Sequence, residues 1–98
     1  MSTASLMPIE NGFRVQGQVG FENVLALRRQ GEKQIAQSAS TQPFVIDLSA
    51  MMELDAACFS LLFSWMRVAR KKKQTVTLIN VQQSLQRMAK MFGLAALI

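Results

Sequence analysis

From Phe13 to Val19 the apolar residues Phe13, Val15 and Val19 alternate with Arg14, Gln16 and Gln18, the two-residue period of a strand with one face buried. Leu6 to Ile9 forms a short apolar run before it, and Glu10-Asn11-Gly12 between them carries the Asn-Gly signature of a tight hairpin. The chain is therefore expected to open as an antiparallel β-hairpin. From Glu22 the period lengthens: Val24, Leu25, Leu27, Gly31 and Ile35 recur at helical spacing with Arg28, Arg29 and Lys33 opposite, which predicts a first helix of about four turns. After a polar loop from Ser38 to Pro43, Phe44-Val45-Ile46-Asp47-Leu48 reads as a central strand of the kind found in sheets covered on both faces.

A second helix is predicted from about Ala56 to Lys72, with Asp55 placed to cap its N-terminus and basic residues in its last turns, so both ends match the helix dipole. Thr75 to Ile79 reads as another strand. Leu85, Met88, Ala89 and Phe92 then form an apolar stripe at helical spacing, ended by Gly93. The order β-β-α-β-α-β-α implies an α/β fold: an open mixed sheet with an antiparallel hairpin first, parallel pairing through right-handed crossovers later, and helices packed on the sheet. No internal repeat or low-complexity linker divides the chain, so residues 1–98 are expected to form a single domain.

Composition narrows the chemistry. A chain of 98 residues, half of them hydrophobic, supports one core but has little to spare for a large substrate cavity. With no His and only one Cys, the sequence excludes imidazole bases, His-dependent triads, internal disulfides and multi-Cys metal sites. Gly12, Gly17 and Gly20 form neither a dinucleotide fingerprint nor a phosphate-binding loop. Cys58, near a helix N-terminus, has no accompanying base and reads first as a small core residue. These exclusions predict a non-enzymatic protein without cofactor or metal. The richest apolar stretch, Ala56 to Ala69, is interrupted by Ser60, Ser64 and Arg67, and the first residues lack the basic and apolar regions of a secretory leader, so a soluble, cytoplasmic protein is expected.

Charge is unevenly distributed. Through Asp55 there are four basic residues and all six acids; from Ala56 onward there are seven basic residues and no acid. Five of the seven lie between Arg67 and Lys73, where a dipole-matched helix end is the leading explanation and a patch for anionic partners the second. Nucleic acid is not an expected partner, because the basic residues have no interleaved aromatics, zinc motif or recognition-helix pattern.

The second helix sets Ser60, Ser64, Arg67 and Lys71 on one narrow line and Phe59, Leu62, Phe63, Met66 and Ala69 on an apolar face, leaving Leu61, Trp65 and Val68 outside it. One sheet-facing helix needs a single apolar stripe, so the surplus predicts cover by a partner. Trp65 fits either an interface anchor or a ring packed beneath the neighbouring helix, and the sequence does not separate the two. Met51-Met52-Glu53-Leu54 puts adaptable methionines just before the helix, suited to an interface or to filling gaps at the sheet edge.

Val45-Ile46-Asp47-Leu48-Ser49, Ala56-Ala57-Cys58-Phe59-Ser60-Leu61-Leu62, Lys71 to Lys73 and Val76-Thr77-Leu78 together resemble the STAS domain family (sulfate transporter and anti-sigma factor antagonist), and within it the small MlaB-type subunits. In that family a strand ending in Asp-Leu-Ser is followed by Asp-Ser-Ser-Gly-Leu or Asp-Thr-Gly-Gly-Leu at a helix start. Aligned on Asp55, Ala56 and Ala57 stand where the family usually carries hydroxyl or glycine residues, and Cys58 and Phe59 stand at Gly and Leu. Anti-sigma antagonists of the family are switched by phosphorylation of the second hydroxyl, which methyl side chains at Ala56 and Ala57 cannot reproduce. The resemblance to MlaB-type subunits implies docking on the cytoplasmic ATPase of an ABC-type phospholipid transporter, hence an indirect, peripheral place at the bacterial inner membrane. It puts the contact at Met52, Glu53, Asp55, Ala56, Ala57 and Phe59, continuing along Ser60, Ser64 and Arg67. The alternative it implies is an anti-sigma antagonist-like partner switch lacking its hydroxyl.

Overall fold

The structure is a computed structural model that describes residues 4–38, 41–52 and 56–93. Its elements are β1 (Ala4–Ile9), β2 (Gly12–Gln18), α1 (Val24–Gln37), β3 (Phe44–Met52), α2 (Ala57–Lys71), β4 (Val76–Ile79) and α3 (Gln83–Met91), in the predicted order. They form a four-stranded sheet ordered β1-β2-β3-β4, with β1 and β2 antiparallel and the other pairings parallel.

The hairpin closes at the Ile9–Gly12 pair, so Glu10 and Asn11 are its two loop residues. Only Asn11 takes positive φ, 61°, which differs from the double positive φ of a type I′ turn. Gly12 already belongs to β2 and is required by proximity: a Cβ there would lie 2.6 Å from the carbonyl carbon of Val45 and closer still to its oxygen. The missing side chain lets β3 pair against the hairpin, and Asn11 O accepts the Val45 N–H at 2.8 Å.

Both parallel crossovers step the strand order in one direction, and right-handed crossovers of that sense put their helices on the same face of a sheet. The burial agrees. Phe13, Val15, Phe44, Ile46 and Leu48 join Leu27, Ile35, Trp65, Leu85 and Ala89 of the three helices in one core. The paired residues Arg14 and Asp47 point the other way, where Met7 and Thr77 are exposed. The expectation of a central strand covered on both faces is thus corrected: among the described residues, helices cover one face only, and the continuous apolar run of β3 is broken at Asp47 by a carboxylate with partners of its own.

Those partners tie three segments together. Asp47 Oδ1 accepts the Ser49 N–H at 2.9 Å and the Asn80 amide at 3.1 Å, and Oδ2 accepts Arg14 Nε–H at 3.0 Å. Burial alone would raise the Asp47 pKa, but the hydrogen bonds from Ser49, Asn80 and Arg14 outweigh it and hold the carboxyl well below the usual carboxylate range. Asp47 therefore stays ionised and fully engaged at neutral pH, which suits a structural post and makes it a poor general acid or base. Gln82 Nε2 adds bonds to the Leu48 and Met51 carbonyls at 3.0 and 2.5 Å, fixing the start of α3 against the end of β3.

Candidate functional site

The C-terminal ends of β2 and β3 lie side by side, so the segment before α1 and the start of α2 share one end of the sheet. There the paired methionines divide their roles: Met51 is buried in the core and Met52 is 60% exposed. Glu53 and Asp55 lie outside the described residues. The helix begins at Ala57, and the residue before it is Ala56, in helical conformation and without a side chain that could cap. Ala56 is exposed and Ala57 half-buried.

Along α2 the predicted polar line faces outward. Ser60 and Arg67 are exposed and Ser64 half-buried, with Ser64 Oγ–H donating to Ser60 O at 3.0 Å within the helix. Phe59, placed by sequence in the contact set, is 4% exposed and packs in the core, so it supports the surface from beneath; its ring stacks on Phe63 at 6.3 Å and meets Phe92 edge-on at 6.0 Å.

The buried face of α2 differs from the expected one. It comprises Cys58, Phe59, Leu61, Leu62, Trp65 and Ala69, while Phe63 and Met66 are half-buried. The surplus apolar residues are used inside the domain, because α2 packs against α1 and also joins the core of the sheet, where Trp65 meets Phe13. Trp65 is fully buried: its ring meets Phe13 edge-on at 4.8 Å and its indole N–H donates to Arg28 O at 3.1 Å. Of the two readings of Trp65, the ring beneath the neighbouring helix is the one realised. Cys58 is likewise a buried core thiol.

The basic run also divides. Lys72 reaches across to the end of α1, where Nζ donates to Ile35 O at 2.8 Å, to Ala36 O at 3.4 Å and to Ser38 O. α1 has no basic residue in its own last turn, so Lys72 supplies the positive charge its C-terminus lacks. Lys73 adopts φ 58° and ends α2, with its N–H bonded to Arg70 O and the Gln74 N–H to Ala69 O, a Schellman arrangement. Arg67, Arg70, Lys71 and Lys73 remain exposed.

Sequence reasoning missed Phe21, 90% exposed in the turn before α1, Leu25 beside it, and the outward parts of Phe63 and Phe92. An apolar ring inside the otherwise polar Gly20-Phe21-Glu22-Asn23 turn was a readable signal. Among the described residues there is no group of three or more acidic, Cys or His side chains placed to hold a metal. No described helix is long and apolar enough to cross a membrane. The arrangement is a surface of methyl, hydroxyl and guanidinium groups on one helix.

The fold is similar to that of the anti-sigma factor antagonist SpoIIAA in its unphosphorylated form, with a TM-score of 0.72 and 18% identity over 95% of this chain and 83% of that one. No curated protein sequence matches the chain. A family model described as "Mlab, STAS domain" matches residues 4–98. With the Asp47-Leu48-Ser49 segment inside β3, the mixed sheet and the α2 surface all falling within that span, the chain belongs to the MlaB-type STAS domain family.

Proposed function

We propose that the protein is a non-enzymatic accessory subunit that binds the cytoplasmic ATPase of an ABC-type phospholipid transporter and supports its assembly and activity, in the maintenance of outer-membrane lipid asymmetry. The observation that carries this reading is the outward line Ala56, Ser60, Ser64 and Arg67 on a helix that is anchored on its other side, in a chain matched by an MlaB-type family model. Met52 and Ala57 extend the contact toward the sheet end, with Glu53 and Asp55 assigned to it from sequence. The hydrolysis of nucleotide belongs to the partner, and association with the cytoplasmic face of the inner membrane is indirect, through the complex.

The likeness of fold to SpoIIAA favours a second reading, a partner-switching protein that meets an anti-sigma factor through the same surface. Ala56 and Ala57 leave it no phosphoryl acceptor at those positions, so such a switch would be constitutive or controlled elsewhere.

Co-purification from cell membranes tests the first reading. Wild type is expected to retain an ATPase subunit and Ala56→Arg to lose it while keeping its far-UV circular dichroism, since Ala56 is exposed. Retention by both would remove this surface from consideration, and recovery of an anti-sigma factor instead would favour the second reading.

A further inference from the structure

Beside the proposed contact, α2 and β4 enclose an open groove. Its larger part, about 460 Å³, is lined by Met66, Arg70, Lys73, Gln74, Thr75 and Val76. A smaller part of about 210 Å³ shares Met66 and Arg70 and adds Phe63 and Arg67. The floor is apolar and half-buried, and the rim is basic and exposed. None of the rim cations is in an ion pair among the described residues. Among the described residues β4 is the last strand of the sheet, so one of its edges has no described strand beside it.

We propose that this groove is a second docking site, for an extended acidic segment of a protein partner that lays apolar side chains on Phe63, Met66 and Val76 and carboxylates on Arg67, Arg70 and Lys73. Charge complementarity selects an acidic occupant. An extended chain points alternate side chains to opposite sides, which matches an apolar floor below a cationic rim, and its backbone can add to the β4 edge. A bilayer is a poorer match, because headgroups meet protruding basic surfaces more readily than a concave floor of Met and Val. The groove runs beside β4, apart from Ala56; it meets the proposed ATPase contact at Arg67, whereas Arg70 and Lys73 belong to the groove alone.

The test uses the full chain and a fluorescein-labelled eight-residue peptide alternating Glu with Val, followed by fluorescence anisotropy. Binding to wild type is expected, and Arg70→Glu with Lys73→Glu should weaken it by roughly tenfold or more, with Arg70→Gln giving a smaller loss in the same direction if the double variant folds poorly. Arg29→Glu with Lys33→Glu on α1 makes the same change in net charge at exposed positions and should leave binding within about twofold. Equal losses in the two double variants would overturn the site as non-specific charge attraction. So would failure of wild type to bind the peptide, including the case in which it binds phosphatidylglycerol vesicles through Arg70 and Lys73 instead.

Discussion

Gly31→Ala should destabilise the protein, against the ordinary preference of a helix interior. Ala at a mid-helix position is favoured over Gly by about 1 kcal/mol. At Gly31, however, an added Cβ would lie 2.7 Å from Trp65 Cζ2 and nearer still to Nε1 and Cε2. The indole is closed in on other sides by Phe13 and held by its bond to Arg28 O, so it cannot withdraw without cost. Overpacking of this kind costs about 1–3 kcal/mol, and a displaced, buried indole N–H left unpaired adds about 1–3 more. After the propensity gain the net loss should be about 3 kcal/mol, within a range of about 1–5, or roughly 12–24 °C in Tm at the central value for a domain of this size. Urea denaturation followed by far-UV circular dichroism measures it, with an unchanged m-value showing that the denatured state is not altered. In a Trp65→Phe background, where the indole atoms nearest the new methyl are gone, the same substitution should cost at least about 1 kcal/mol less. If Gly31→Ala proves as stable as wild type, or the two substitutions add without coupling, the α1–α2 seam is not packed as described.

Two further expectations concern charged groups with structural duties. Asp47→Asn should cost about 2–3 kcal/mol at pH 7, mostly through the Ser49 and Asn80 bonds, with the part-exposed Arg14 discounted for solvent screening. Because the folded-state pKa of Asp47 is depressed, its contribution is complete above the unfolded value of about 4 and is lost as pH falls below that, so the gap between wild type and Asp47→Asn should shrink in acid urea titrations; a gap independent of pH would contradict the ionised network. Lys72→Met should cost about 2 kcal/mol by removing a charged donor from the end of α1, whereas Lys71→Met should stay within about 0.5 kcal/mol, and equal effects in urea denaturation would refute the distinction.

The element order, the hairpin and the helix stripes were legible because each follows from a local period or turn residue. The division of labour within α2 was not. Six buried side chains on that helix serve two neighbours, α1 and the sheet, and a projection of one helix reveals how much apolar surface it carries but not how many elements share it. Trp65 was ambiguous for the same reason until Gly31 supplied the space for its ring. Lys72 read as one of a run of like charges, yet its duty depends on the end of α1, more than thirty residues earlier, which no local window contains. At the site, the outward placement of Ser60 and Arg67 was readable from helical spacing, whereas the burial of Phe59 required knowing where Phe92 returns.

Placing the anchoring residues of α2 on one side and its outward groups on the other gives the two sides separate evolutionary fates. Changes to Trp65 or Leu61 must be compensated within the domain, while changes at Ser60 or Arg67 leave the interior untouched. Such a helix can drift from one binding companion to another by surface substitutions alone, without passing through an unfolded ancestor.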